Sequence, residues 1–168
     1  MKRLCPILLL LTVIVHFSSC EKDDICVEGD TPLLVIGFFN VEDPTASKDV
    51  LRLRIVETEL NSTLGTFTDR GNLDSIGLPL RIANTSTTFA MIKDSQDDDD
   101  GNEAGRIDTL TFNYTVNERF VSKACGFVAN FNELDTTRQV FSSDWIKRIE
   151  IIDTIISDSN EIHVQIFH

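Results

Sequence analysis

Basic side chains are scarce in this chain. Fifteen Lys and Arg stand against 27 Asp and Glu, a net charge of −12 over 168 residues. A nucleic-acid partner requires clustered cations that displace counterions from phosphate, so the composition argues against that class. Histidine is nearly absent as well: beyond His16 there are only His163 and His168. The chain has no Gly-x-Ser-x-Gly, no His-Glu-x-x-His and no glycine-rich phosphate loop, which removes the recognisable nucleophile-elbow, zinc-protease and nucleotide-binding signatures. No cofactor is implied. Long apolar runs are missing too. The longest, Leu4 to Phe17, falls short of the about 20 residues a membrane-spanning helix needs. With 4 Pro and 8 Gly, no Pro- or Ser-rich linker divides the chain.

What is present begins with the first residues. Lys2 and Arg3 supply a positive end, Ile7 to Val15 is apolar apart from Thr12, and Phe17-Ser18-Ser19 leads into Cys20. This is the layout of an export signal. Small residues before a cysteine resemble the bacterial lipobox, in which the cysteine is acylated, as with palmitate, and becomes the first mature residue. The expectation is a signal peptide over 1–19, a lipidated tether over 20–31 and one domain over 32–168. The alternative is an ordinary cleaved signal that leaves Cys20 as a thiol. The mature chain would carry a charge near −14.

Four cysteines then divide. Cys5 leaves with the signal and Cys20 takes the lipid. Cys26 and Cys125 remain, and in an oxidising compartment a disulfide is the simplest assignment. It would close a loop of roughly 100 residues, contributing about 4–5 kcal/mol before native strain is subtracted. A metal site is the alternative, with no nearby histidine to support it. Cys26 lies six residues from Cys20, a reach of only about 20 Å fully extended.

The mature chain reads as short strands between polar turns. Leu33 to Phe39 is a continuous apolar run after Pro32. Leu51, Leu53 and Ile55 alternate with Arg52 and Arg54. Leu78 to Ala83 and Thr87 to Lys93 look like a hairpin around Asn84-Thr85-Ser86. Leu110, Phe112 and Tyr114 alternate with Thr109, Thr111 and Asn113. Phe120-Val121 and Phe127 to Phe131 flank Cys125-Gly126, and Trp145 to Ile152 and Ile162 to Phe167 complete the set. Ile146 to Ile156 is the best helix candidate, but its isoleucines favour a strand. About eight strands at this spacing predict an all-β, single antiparallel sandwich-like domain.

Two features invite functional readings. Asp97, Asp98, Asp99 and Asp100 form an acidic run before Gly101, and oxygen-rich loops bind Ca²⁺. Placing Gly101 sixth in an EF-hand loop puts Gln96 first and Ile107 twelfth, so that geometry fails. A looser cation site and a solvated loop kept mobile by its own repulsion both remain open. Aromatics Trp145, Phe38, Phe39 and Phe141 could stack on a glycan, or they could be core.

The segments Cys20-Glu21-Lys22-Asp23-Asp24-Ile25-Cys26, Leu78-Pro79-Leu80, Ile107 to Tyr114 and Phe120-Val121-Ser122-Lys123-Ala124-Cys125-Gly126 resemble a family of Bacteroidetes lipoproteins that carries a domain of unknown function. The resemblance implies the Cys26–Cys125 pairing, because both cysteines sit in its motifs. It also implies that Lys22-Asp23-Asp24 is an export signal toward the outer membrane and its outer leaflet. The Asp97–Asp100 run is not part of it, and it brings no catalytic residue. Asp108-Thr109-Leu110 resembles the O-glycosylation motif of such bacteria. The expected protein is therefore an outer-membrane, lipid-anchored accessory domain. It would touch the bilayer through Cys20 and bind another envelope protein or a glycan, without catalysis. A small carboxylate-dependent hydrolase and a Ca²⁺-binding module are the alternatives.

Overall fold

The computed structural model describes residues 30–139 and 145–168. The expected signal peptide, Cys20, Lys22, Asp23, Asp24, Cys26 and Phe141 lie outside the described residues.

Ten strands and no helix make up the described chain. They are β1 (Leu34–Phe39), β2 (Val50–Glu57), β3 (Ser62–Thr63), β4 (Gly71–Leu73), β5 (Ser75–Leu78), β6 (Ser86–Lys93), β7 (Arg106–Ser122), β8 (Gly126–Gln139), β9 (Arg148–Ile151) and β10 (Val164–Phe167). One sheet runs β5-β1-β10-β9. The other runs β3-β2-β6-β7-β8, with β4 also on β2. Alternating residues supply the core from both sheets. Leu34, Ile36, Phe38, Val164 and Ile166 come from the first; Leu53, Ile55, Phe89, Met91, Leu110, Phe112 and Phe131 come from the second. This is the all-β, two-sheet architecture that the alternation predicts.

Several details differ from the expectation. β1 pairs with β10 in parallel, Ile36 facing Val164, so the domain is not purely antiparallel. Leu78 and Thr87 do not share a hairpin: β5 pairs with β1, β6 with β2 and β7, and the chain between them crosses from one sheet to the other. The alternation of Leu51, Leu53 and Ile55 also breaks. Arg52 sits at φ 44°, a bulge separates Val50 from Leu53, and Leu51 is left 49% exposed while Val50 goes inside. The segments around Tyr114 and Phe120 are one 17-residue strand.

That strand and β8 are the longest elements among the described residues. β6 leaves β7 at the Ser86–Asn113 pair, while β7 and β8 remain paired from Thr115–Asn132 to Ser122–Gly126. Beyond β6 the hairpin is therefore a ribbon. Its turn, Lys123-Ala124-Cys125, closes with Gly126 at φ 72°, the left-handed position that ends a three-residue hairpin loop. The Cys125 N–H donates to Ser122 Oγ. Elsewhere β8 is an edge, and it is covered: Phe131 and Ile156 exchange both backbone hydrogen bonds, and Leu134 N–H donates to the Thr154 carbonyl.

Candidate functional site

Buried ionisable groups are costly unless paired, so they mark either chemistry or architecture. Asp108 is fully buried on β7. Its Oδ2 accepts the N–H groups of both Trp145 and Ile146 at 2.9 Å, and its Oδ1 faces Arg138 Nε at 3.3 Å. Trp145 Nε1 donates to the Met91 carbonyl, and its ring lies against Phe38. Asp108 thus fixes the strap that carries Trp145 into the gap between the sheets. This places Asp108-Thr109-Leu110 within β7, with its Asp inaccessible, and makes Trp145 and Phe38 core rather than a stacking platform.

The two histidines are structural in the same sense. Val35 N–H donates to His163 Nδ1 at 3.1 Å, and burial pushes the ring's pKa down despite Asp153, Asp158 and Glu161 nearby. His168 Nε2 lies 3.1 Å from the Lys48 carbonyl, which can only accept, so that nitrogen carries the proton. Nδ1 then accepts from Lys93 Nζ at 3.0 Å. Burial foremost, with Lys93, Lys48 and Arg106 nearby, lowers His168 to about 4. Burial likewise lowers Lys93. Glu57, also buried, accepts the N–H groups of Glu59 and Leu60 and caps the turn after β2.

The acidic run is stitched down rather than left to repel itself. Arg70 reaches Asp97 with both terminal nitrogens, at 3.1 and 2.5 Å, and its Nε donates to Ser95 Oγ. Ser95 Oγ donates to Glu103 Oε2, while Gln96 and Gly105 N–H donate to Glu103 Oε1. Asp98 Oδ1 accepts N–H groups from Asp100 and Asn102. The Arg70 guanidinium holds the Asp97 carboxyl below its ordinary range, and the Asn102 backbone does the same for Asp98. Asp99 and Asp100 stay exposed. Among the described residues no group of three or more His, Cys, Asp or Glu is gathered for a metal ion.

An open cleft of about 310 Å³ lies between Leu33, Val35, Phe67, Ile76, Gly77 and three hydroxyl residues. Those hydroxyls are engaged. Thr66 donates to the Gly77 carbonyl, Ser75 donates to Asp74, and Ser159 accepts from Leu33 N–H. Among the described residues no ionisable side chain lines it.

One feature escaped sequence reasoning. Phe120 and Phe127 face each other across the ribbon tip, ring centroids 5.4 Å apart and edge to face. They are 55% and 68% exposed. The signal was available: two phenylalanines flank a turn closed by glycine at pairing distance.

Fold and site together define an all-β, two-sheet domain whose interior carboxylates and imidazoles are occupied by architecture and whose longest hairpin ends in exposed aromatics. The chain belongs to DUF6452, a family of unknown function, which it matches over residues 52–168. No curated protein and no solved structure matches it.

Proposed function

We propose that this chain is a lipid-anchored cell-envelope protein whose domain is a non-catalytic binding or structural accessory. In this reading residues 1–19 direct export, Cys20 carries the acyl chain, and Lys22-Asp23-Asp24 routes the product to the outer membrane. The observation that carries the accessory role is the occupation of Asp108, His163, His168 and Glu57 by backbone groups of the fold, beside a cleft that is lined, among the described residues, by no ionisable side chain. An acid–base catalyst needs a titratable group with a free face.

The Cys26–Cys125 bridge belongs to the same reading, and reach supports it. Ala129 N–H donates to Thr31 Oγ1 at 3.5 Å, so the chain entering β1 passes beside β8. Five residues back from Thr31 span up to about 17 Å, and Cys125 is four residues from Ala129 along β8, about 13 Å.

Growth of the source cells with an alkyne-bearing palmitate tests the anchor. Wild-type chain should be labelled and a Cys20→Ser chain should not. In-cell crosslinking then tests the role. Recovery of a defined envelope partner supports it, and a chain that stays monomeric under every condition refutes it.

A further inference from the structure

We propose that the tip of the β7–β8 hairpin docks onto the bilayer that holds the anchor, with Phe120 and Phe127 entering the headgroup boundary and Arg119 and Lys123 meeting anionic lipid. The proposal rests on the lipid-anchor reading above.

The first ground is the aromatic pair. Phe120 and Phe127 occupy directly opposed positions, hence one face of the ribbon, beyond the last residue that β6 pairs. Two exposed phenylalanines on a projecting ribbon leave apolar area in water that a lipid interface would remove.

The second ground is charge. The full chain carries −12, yet residues 117–127 hold Arg119 and Lys123 against Glu118 alone, all exposed. The tip is a local reversal of sign in an acidic molecule. Cations held within a Debye length of an anionic surface are drawn to it. An acidic protein surface would satisfy the cations but not the two exposed aromatics at the turn; a bilayer interface satisfies both.

The third ground is the length of chain outside the described residues. Thr31 lies at Ala129, about 13 Å along β8 from the turn. From Thr31 back to Cys20 is eleven residues, at most about 40 Å. An anchored acyl chain therefore keeps the ribbon within one short leash of the membrane.

The test uses the full acylated protein bearing Phe127→Trp, isolated from cells and inserted into vesicles of phosphatidylcholine and phosphatidylglycerol. Lipids brominated high on the acyl chain quench tryptophan that reaches them. The wild-type chain sets the baseline, because Trp145 is its one tryptophan and is buried. The expected result is at least a halving of the added emission, reduced again by Arg119→Glu with Lys123→Glu. A protein that is acylated and floats with the vesicles, but whose added tryptophan is not quenched, overturns the tip contact and leaves the anchor standing. A chain whose mass shows no acyl group on Cys20 overturns both. A tip tryptophan that shifts to the blue with protein concentration, without vesicles, assigns the aromatic pair to self-association and overturns the proposal.

Discussion

Replacing Asp108 should unfasten the two sheets. Its carboxylate is the acceptor for two buried N–H groups, those of Trp145 and Ile146, and the partner of Arg138 Nε. Asp108→Ala leaves both donors inside the protein with nothing to accept them, each costing about 1–3 kcal/mol. Removing one side of the Arg138 pair adds to this, so the total should be about 3–5 kcal/mol. Asp108→Asn makes a finer test. Both N–H groups donate to the same oxygen, Oδ2, which an amide carbonyl can replace. The amide NH₂ then faces Arg138 Nε, donor against donor. The expected cost is about 1–2 kcal/mol. Urea unfolding followed through Trp145 emission measures both, with equal slopes confirming that the midpoint shift is a stability change. Alanine and asparagine variants within about 0.5 kcal/mol of each other would refute the assignment of Oδ2 as the fastening acceptor.

Acidification should weaken the fold through His168. Its folded value, about 4, lies below the 6.5 of the free side chain, so its contribution is complete above pH 6.5 and is lost as pH falls toward 4. The gap corresponds to roughly 3 kcal/mol at most. His168→Gln should flatten the stability slope over that window, and an unchanged slope in urea titrations would refute this. Gly105→Ala should cost about 1–3 kcal/mol, because a Cβ there would lie 2.5 Å from Ile92 Cγ2 and 2.9 Å from the Lys93 carbonyl. A neutral melting temperature would sink that claim. Arg70→Met should speed amide exchange at Gln96 and Gly105 while barely moving global stability, since the Asp97 pair is exposed and screened. Equal protection in both chains would mean that the loop is held by its backbone alone.

The core strands were legible because alternation is a local property. Leu110, Phe112 and Tyr114 declare an inward face without reference to anything distant, whereas the continuous apolar run from Leu33 to Phe39 declares a buried strand but not which of its faces turns inward. What was hidden depends on partners far along the chain. Nothing around Asn84 distinguishes a hairpin from a crossover, since Leu78 finds Leu34 and Thr87 finds Phe112 only in the folded sheets. The bulge at Arg52 is equally silent: a positive φ on arginine has no compositional cue. The roles of Asp108 and His168 were invisible for the same reason, as their partners lie 37 and 120 residues away. The acidic run misled in the opposite direction. Composition suggested repulsion, but Arg70, 27 residues upstream, neutralises Asp97.

These placements give the molecule a direction. The acidic loop over 94–105 joins β6 to β7, and the aromatic tip lies at the other end of β7, 17 residues away. At about 3.3 Å per residue the two ends stand roughly 55 Å apart. Arg119 and Lys123 favour an anionic surface, and Asp99 and Asp100 are exposed at the far end. Over such a length the Debye screening of about 8 Å makes the two ends electrically independent. A bilayer contact at the tip would therefore neither gain nor lose from the acidic end, which stands several screening lengths away from the membrane. Asp99→Asn with Asp100→Asn should then leave the quenching of a tip tryptophan by brominated lipid unchanged, whereas Arg119→Glu with Lys123→Glu should reduce it, and equal loss in both would refute the electrical independence of the two ends.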